Sequence, residues 1–232
     1  MSTQLPVIFL PGTLCDERLW MPVWQHLDIA DRRYVPLQWA ETLEQMAGLT
    51  EYAVAGDKVH LVGFSMGGFL ACQYALAQPE NIASLTLIGY SSFGLTPEEI
   101  QQREIIIRAL EKGQFKPMNK QRLALFVQAE GPNGDNACQT VREMEQDLGG
   151  PVLKYQLKAT SNRPDLTAKL AVAGFDINLI AAQQDRIAPL GQLTRMHKQI
   201  KNSTLQIIDN SGHMLPLEAP EQLATQLSQI IS

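Results

Sequence analysis

The sequence predicts an α/β fold in which a mostly parallel sheet of roughly six strands carries helices on both faces and one inserted helical lid. Three observations lead to this expectation. Short apolar runs without polar alternation recur along the 232 residues, as is typical of strands buried on both faces. Stretches with helical periodicity separate these runs. Between residues 94 and 160 the helical signals continue, while the strand signals stop.

Strand and helix segments alternate through most of the chain, which indicates successive strand–helix–strand units in one sheet. The predicted strands are Val7–Leu10, Tyr34–Leu37, Val59–Gly63, Leu85–Gly89, Phe175–Ala181 and Leu205–Ile208. The predicted helices of this alternating part are Leu19–Leu27, Thr42–Val54, Met66–Ala77, Leu190–Ile200 and Pro220–Ile231.

The inserted region begins with a strong helix start. Thr96 is a favourable N-cap, Pro97 suits the first helical position, and Glu99 completes a capping box. We expect this helix to run to about Lys112 and to stop at Gly113, because glycine readily leaves the helical conformation.

Further helix signals follow within the same region. Asn119 and Asp135 are predicted N-caps, and the helix after Asp135 should end near Gly149, with Pro151 able to open another helix. We interpret the region as a lid over a pocket, although a purely structural excursion is the alternative. The predicted division is an α/β core formed by 1–93 and 161–232, and a helical lid formed by 94–160.

The overall composition excludes several classes of protein. A net charge of −5 and a pI near 5.4 argue against a nucleic-acid groove, and no apolar run approaches the length of a membrane span. The first residues lack a basic segment of the kind found in signal peptides, so we expect a cytoplasmic protein. The three widely spaced cysteines suit free thiols better than disulfides or a metal site. The composition leaves the oligomeric state open.

A candidate nucleophile lies between the third predicted strand and the helix that follows it. The sequence Gly63-Phe64-Ser65-Met66-Gly67 fits the pattern G-x-S-x-G. A turn this tight from strand to helix strains the central residue and presents the Ser65 hydroxyl at the carboxyl end of the sheet. The alternative is a glycine-rich turn that only allows close packing.

A serine nucleophile needs a base and an orienting carboxylate. His213 follows the last predicted strand, and Asp185 lies in a loop after the fifth, so both belong to the same edge of the sheet as Ser65. Asp209 is the second choice for the carboxylate. The remaining histidines fit structural or exposed positions in predicted strands and helices: His26, His60 and His197.

Acyl chemistry also needs donors for a developing oxyanion. The amide of Met66, directly after the nucleophile, is one expected donor. The loop after the first strand supplies the other, for which Thr13 is the first choice and Leu14 the reserve. Cys15 lies nearby without a basic partner, so we do not interpret it as a nucleophile.

Apolar side chains near the nucleophile and in the lid are candidates for a substrate pocket. The lid also carries four arginines; two or more of them facing inwards would indicate an anionic substrate. The candidate substrate-binding residues are Leu14, Phe64, Met118, Phe126 and Met144. The four arginines are Arg103, Arg108, Arg122 and Arg142.

The chain order Ser65, Asp185, His213, together with the segments GFSMGG, AAQQDRIAP and SGHMLPLEAPEQ, resembles the α/β-hydrolase superfamily. The resemblance covers almost the whole chain and is greatest to small lidded esterases and C–C-bond hydrolases. It implies that these three residues serve as nucleophile, acid and base. A serine at the elbow also separates the chain from the similar dehalogenases and epoxide hydrolases, which use an aspartate there.

Three features depart from that resemblance. Pro11-Gly12 replaces the usual His-Gly pair of the oxyanion loop, and the leading antiparallel hairpin of the family is absent. The segment Gln38–Glu41 stands where a glycine-rich segment commonly follows the next strand. These differences concern the surroundings of the site and leave the three catalytic positions in place.

The sequence therefore predicts a serine hydrolase that cleaves a small carboxylic ester or thioester through an acyl-enzyme. The expected partner is a small-molecule acyl substrate, without metal or organic cofactor and without nucleic acid or membrane. One alternative is a C–C hydrolase or lyase acting on an anionic metabolite of the menaquinone-precursor type. Another is a ligand-binding signalling protein that retains the three residues.

Overall fold

The computed structural model describes residues 5–231 and contains a six-stranded sheet in which every neighbouring pair of strands is parallel. The strand order is β2-β1-β3-β4-β5-β6. This architecture confirms the predicted fold class; residues 1–4 and 232 of the predicted core lie outside the described residues. The strands are β1 (Val7–Leu10), β2 (Arg32–Tyr34), β3 (Val59–Phe64), β4 (Ile82–Ile88), β5 (Asp176–Ala182) and β6 (Ser203–Ile208).

Helices occupy the connections between the strands and both faces of the sheet. Within residues 5–231, no helix has the length and apolar character needed to cross a membrane. The helices are α1 (Met21–Trp24), α2 (Leu43–Val54), α3 (Met66–Ala77), α4 (Pro97–Glu111), α5 (Lys120–Phe126), α6 (Gly134–Thr160), α7 (Thr167–Leu170), α8 (Leu190–Gln199), α9 (Leu215–Glu218) and α10 (Pro220–Ile231). Short 3₁₀ turns cover Glu17–Leu19, Leu37–Trp39 and Pro79–Asn81.

The four inner strands β1, β3, β4 and β5 are buried on both faces, which explains why their sequences are mainly apolar. The edge strands β2 and β6 are more exposed and more polar. In β1, Ile8 packs into the cluster that contains Met46 of α2 and Met196 of α8. Its neighbour Phe9 points to the opposite face and packs with Leu223 of α10. Successive side chains of a strand point to opposite faces, so an all-apolar strand requires helices on both.

The parallel arrangement brings four loops to one edge of the sheet. At this edge Leu10 pairs with Gly63, and Ala182 pairs with Ile208. The loops that leave the carboxyl ends of β1, β3, β5 and β6 are therefore neighbours, as expected for a ligand site of an open α/β sheet.

The second strand lies earlier than predicted. The structure forms it over Arg32–Tyr34 instead of Tyr34–Leu37. Pro36 has no amide hydrogen for the ladder, and with ψ near 72° it turns the chain into the 3₁₀ segment Leu37–Trp39. Within this run Val35 and Leu37 are buried, whereas Tyr34 and Pro36 are half-buried, and the proline limits the pairing.

The first predicted helix is also divided. The expected helix Leu19–Leu27 is replaced by the 3₁₀ turn Glu17–Leu19 and the single turn of α1, Met21–Trp24. Pro22 lies in the first turn of α1 and cannot donate the hydrogen bond that a continuous helix through this position would require.

The region between β4 and β5 holds the four helices α4, α5, α6 and α7, of which the first three lie in the predicted lid. At the start of α4, the Thr96 hydroxyl accepts from the Glu99 amide at 3.2 Å, and the Glu99 carboxylate accepts from the Thr96 amide at 2.7 Å. The chain leaves α4 near Gly113, whose φ is +73°. Asn119 caps α5 by accepting from the Arg122 amide at 2.8 Å.

Helix α6 corrects the predicted N-cap at Asp135. The helix starts at Gly134 after Asn133, because the Gly134 amide already closes a turn onto the Gly131 carbonyl at 3.0 Å. Asp135 instead lies in the first turn, where its charge suits the helix dipole. Gly149, with φ 66° and ψ −169°, interrupts the helix at its predicted end, and the helical chain resumes through Pro151.

Candidate active site

The sharp turn between β3 and α3 holds Ser65 in an unusual backbone conformation. Its φ of 51° and ψ of −113° lie outside the regions that L-residues normally occupy. Such strain persists only where the surroundings impose it, and here a strand and a helix join with one residue between them. The Ser65 side chain consequently projects from the carboxyl edge of the sheet.

The two glycines of the elbow are required by close approaches of the backbone. A Cβ atom on Gly63 would lie 2.6 Å from the Gly67 carbonyl oxygen, and one on Gly67 would overlap the Leu10 carbonyl. Small residues therefore let α3 pack against β3 and β1. The same turn therefore allows this close packing and places Ser65 at the edge of the sheet.

Three side chains that are far apart in sequence form one hydrogen-bonded chain. The distance from His213 Nε2 to Ser65 Oγ is 3.1 Å, and the distance from His213 Nδ1 to Asp185 Oδ2 is 2.8 Å. Since a carboxylate only accepts, Nδ1 donates to Asp185, and Nε2 is left to accept the serine proton.

The Asp185 carboxylate is held from its other side as well. Its Oδ1 accepts from the amides of Ile187 at 2.7 Å and Ala188 at 2.8 Å. Asp185 is only 6% exposed, so its orientation is fixed by these bonds and by burial. Asp209, the second choice from the sequence, is exposed and lies outside this hydrogen-bonded chain.

The imidazole of His213 occupies a closely fitted space. It is 2% exposed, with ring centroids of Phe64 and Phe126 at 5.0 and 5.9 Å. Gly89, at the end of β4, has φ +55°, and a Cβ there would lie 3.3 Å from the imidazole. These neighbours limit the ring to orientations near the one observed.

A buried carboxyl group holds the histidine loop to the inserted region. Glu218 Oε2 accepts from the Gly212 amide at 2.9 Å and from the Gln128 amide at 2.7 Å. Burial raises the pKa of Glu218, although these amide donors and the nearby His213 oppose the shift. No sequence pattern indicates a role for Glu218, because its partners lie in two separate loops.

The loop after β1, which contains the expected oxyanion donor Thr13, runs beside Ser65. A Cβ on Gly12 would lie 3.5 Å from the Ser65 Cβ, which shows how close the loop approaches. Within residues 5–231, no acceptor takes a hydrogen bond from the Thr13 amide. Met66 begins α3, where the first-turn amides have no partner in the helix itself.

Leu14, the reserve donor, has a different role in the structure. Its φ is 51°, and its amide donates to Gln156 Oε1 at 2.8 Å. Gln156 is fully buried on α6, 142 residues away in sequence. The inserted region thus fixes the loop next to Thr13, a contact that no local sequence pattern indicates.

A cavity of about 510 Å³ opens between Ser65 and the inserted helices. Ser65, His213 and Thr13 reach its wall. All five predicted substrate-binding residues also line it: Leu14, Phe64, Met118, Phe126 and Met144. A volume of this size suits a small ligand that is held mostly by apolar contacts.

The cavity wall is more basic than the chain as a whole. Five basic and two acidic side chains line it, whereas the chain carries a net charge of −5. Of the four arginines noted in the inserted region, Arg103 and Arg122 reach the wall. The other basic lining residues were not singled out from the sequence: Lys116, Arg163 and Arg195.

Other candidate groups have structural environments. Burial, followed by the nearby Asp16, raises the pKa of Cys15 to about 12, and its thiol donates to the Thr13 carbonyl at 3.4 Å. A protonated thiol is a poor nucleophile. His60 lies within β3, where its Nδ1 is 2.7 Å from Ser84 Oγ and burial lowers its pKa.

The chain is similar in sequence to several hydrolases. The 2-hydroxy-6-oxononadienedioate/2-hydroxy-6-oxononatrienedioate hydrolase 1 of Pseudomonas putida is 25% identical over 162 residues, which cover 68% of this chain and 57% of that protein. Monoacylglycerol lipase abhd6-A of Xenopus laevis is 26% identical over 189 residues, covering 75% of this chain and 54% of that protein. The chain thus spans little more than half the length of these relatives.

Solved structures share the fold at lower identity. An esterase from Thermogutta terrifontis gives a TM-score of 0.85 at 21% identity, covering 99% of this chain and 92% of the other. An esterase from Exiguobacterium antarcticum gives a TM-score of 0.79 at 21% identity, covering 100% and 93%. The family profile of alpha/beta hydrolases matches residues 7–226. With nearly the whole chain matched and the fold in agreement, the chain belongs to the alpha/beta hydrolase family.

Proposed function

We propose that this protein is a serine hydrolase that cleaves a small carboxylic ester or thioester through an acyl-enzyme. The observation that carries the proposal is the hydrogen-bonded chain from Ser65 Oγ through His213 to Asp185, at the wall of the cavity. A serine hydroxyl becomes a useful nucleophile only beside such an oriented base.

In the proposed reaction, Ser65 Oγ attacks the acyl carbon and its proton passes to His213 Nε2. Asp185 keeps the imidazole in the required tautomer and stabilises the imidazolium. The negative charge that forms on the acyl oxygen is taken up by the amides of Thr13 and Met66. Collapse of the tetrahedral intermediate expels the alcohol or thiol, which receives the proton from His213.

The second half of the reaction releases the acid. Water enters, His213 takes one of its protons, and the resulting hydroxide attacks the acyl carbon of the ester on Ser65. The same two amides support the second oxyanion, and the proton on His213 returns to Ser65 Oγ. The apolar wall formed by Phe64, Phe126 and Met144 suits the acyl chain during both steps.

The helices α4, α5 and α6 form the proposed lid of this site. Several of their side chains make up the cavity wall, and Gln156 of α6 holds the oxyanion loop through Leu14. A cover of this kind excludes bulk water from the reacting groups.

A second candidate function is C–C bond hydrolysis of an anionic metabolite. Two observations favour it: the 2-hydroxy-6-oxononadienedioate/2-hydroxy-6-oxononatrienedioate hydrolase among the sequence relatives, and the basic cavity wall. A compound in the name of that relative, 2-hydroxy-6-oxononadienedioate, would then be turned over much faster than simple esters.

The test combines ester turnover with labelling by a fluorophosphonate probe. We expect hydrolysis of short-chain and medium-chain p-nitrophenyl esters and thioesters, and labelling of one serine. The Ser65→Ala variant should lose both, with kcat reduced by at least about 10⁴-fold. Ser91→Ala, which removes another serine hydroxyl of the cavity wall, is the matched control and should keep both.

Two results would argue against the proposal. Unchanged turnover in Ser65→Ala would exclude this serine as the nucleophile. Labelling without turnover of any ester, thioester or dienoate would favour the remaining alternative, a ligand-binding protein that retains the three residues.

A further inference from the structure

Two guanidinium groups meet at one buried residue beside the cavity. Arg103 of α4 donates from Nη1 to the carbonyl and the hydroxyl of Thr160, both at 3.3 Å. Arg163 donates from Nε to the same carbonyl at 2.8 Å and from Nη2 to the same hydroxyl at 3.1 Å. Both arginines line the cavity, and Thr160 is fully buried behind them.

Neither guanidinium has a carboxylate as its ion-pair partner within residues 5–231. This differs from Arg18 and Arg33, each of which pairs with two aspartates. The acid whose charge acts on both arginines is Glu99, whose carboxylate is already bound to the Thr96 amide in the cap of α4. Within residues 5–231, Thr160 is the only residue that accepts a hydrogen bond from either guanidinium, so the pair keeps unused donors at the cavity wall.

The position of Arg163 is determined by its surroundings. Its guanidinium lies over the Phe69 ring, 5.1 Å from the centroid, and its carbonyl accepts from the Leu95 amide at 3.4 Å. Phe69 lies in the first turn of α3, and its amide approaches the Ser65 carbonyl at 3.4 Å. The guanidinium is thus stacked on the helix that begins directly after the nucleophile.

The electrostatic cost of this arrangement would be relieved by an anion. Burial lowers the pKa of Arg163 to about 9, and the neighbouring Arg103 contributes to the same shift. Burial also lowers the pKa of Arg103. Both groups remain charged at neutral pH, and two like charges in a partly buried wall favour a bound counter-charge.

We propose that Arg103 and Arg163 form a carboxylate-binding subsite, which selects substrates carrying a free carboxylate away from the scissile carbonyl. The planar guanidinium matches the two oxygens of a carboxylate. The inference rests on the proposed function, since it takes Ser65 as the group that attacks the scissile carbonyl. The substrate class is therefore half-esters or half-thioesters of dicarboxylic acids, or esters whose leaving group bears the carboxylate.

The first experiment compares substrates that differ only in charge. Monoethyl esters of C4 to C8 dicarboxylic acids are paired with the ethyl esters of the corresponding acid monoamides, and ethanol release is measured. For a carboxylate on the leaving group, 4-acetoxybenzoate is paired with 4-acetoxybenzamide. In at least one series we expect kcat/KM for the acid to exceed that for the amide by about 10- to 100-fold.

The variants assign this preference to the two arginines. Arg103→Gln and Arg163→Gln should each reduce kcat/KM for the acid much more than kcat/KM for the amide, and Arg163→Lys should keep part of the preference. Arg108→Gln is the matched control, because Arg108 is an exposed residue of the same helix α4 and pairs with Glu104 outside the cavity. It should leave both substrates unaffected.

The second experiment measures binding without turnover. Free C4 to C8 dicarboxylates and their diamides are titrated calorimetrically into Ser65→Ala, alone and combined with Arg103→Gln or Arg163→Gln. We expect binding of a dicarboxylate that the arginine substitutions abolish. In the wild-type protein, the same dicarboxylate should raise the Tm, whereas its diamide should not.

The two proposals fail in different ways. Equal kcat/KM for acid and amide in every pair, or a preference for the acid that survives both Gln variants, would overturn the carboxylate subsite and leave the hydrolase intact. If no ester is hydrolysed, the hydrolase proposal fails and the titration decides the subsite. Dicarboxylate binding that depends on the arginines then supports it, and the absence of binding overturns it.

Discussion

The contact between Gln156 and Leu14 predicts that a residue of the inserted helices controls kcat without touching the reacting atoms. Gln156 Oε1 accepts from the Leu14 amide at 2.8 Å, and Leu14 is held at φ 51°. The substitution Gln156→Met keeps the length of the side chain and removes the acceptor. The loop can then relax from its left-handed conformation, which moves the neighbouring Thr13 amide away from the oxyanion position.

The size of the effect follows from the hydrogen bond that is lost. Leaving a buried amide without its partner costs about 1–3 kcal/mol. If this cost appears only in the transition state, kcat falls by about 5- to 150-fold, since about 1.4 kcal/mol corresponds to a factor of ten. The free energy of unfolding should fall by less than this cost. The Nε2 of Gln156 is buried without a partner among residues 5–231, and the substitution removes that unfavourable group as well.

The assay is steady-state hydrolysis of one ester together with thermal unfolding. We expect kcat to fall while KM changes by less than about threefold, because the oxyanion contact forms mainly in the transition state. Gln156→Glu, which keeps an oxygen acceptor, should restore part of kcat. Gln146→Met, at an exposed position of the same helix, is the control. An equal loss of kcat in the Met and Glu variants would refute this reasoning.

Two further predictions concern the base and its loop. Asp185→Asn should retain the acceptor for Ile187 and Ala188 but present an amide group to His213 Nδ1, so kcat should fall by about 10⁴-fold while the Tm changes little; a loss below tenfold would contradict the assigned role. Burial holds the pKa of the Glu218 carboxyl group above its usual 4.5, so the native state keeps this proton to a higher pH than the unfolded state does. The free energy of unfolding therefore falls as the pH rises from the unfolded-state pKa through the native-state pKa. Because the neutral amide introduced by Glu218→Gln imitates the protonated carboxyl group, the Tm of the variant relative to wild type should increase from pH 4 to pH 8; a constant or decreasing difference would disprove the linkage.

The sequence predicted best the helix bounds and caps, which are determined by residues close together in the chain. Helices Met66–Ala77 and Pro220–Ile231 have the predicted bounds, and the capping box at Thr96 starts α4 as expected. These features depend on local periodicity and on caps whose partners are three positions apart. The positions of Ser65, Asp185 and His213 followed from one further fact, that parallel strands end at the same edge.

The failures have two physical causes: local backbone hydrogen bonding that overrides the side-chain pattern, and contacts between residues that are distant in the chain. In the predicted strand Tyr34–Leu37, the missing amide of Pro36 outweighed the apolar run, and the turn at Gly131 set the start of α6 ahead of Asp135. Gln156 contacts Leu14, which is 142 residues away, and Arg163 lies beside Phe69 and Arg103, which are also distant in the chain. A single sequence contains no local signal for such contacts.

The bond between α6 and the loop after β1 has a consequence for how the molecule would work. Helix α6 forms part of the cavity wall through Leu153 and Leu157, and it also carries Gln156. A rearrangement that lifts this helix to admit a ligand would break the Leu14 contact at the same time. The open conformation would thus lack the ordered Thr13 amide. This donor would regain its position only when α6 closes over the bound ligand. Movement of a single helix would therefore couple ligand entry to catalytic competence.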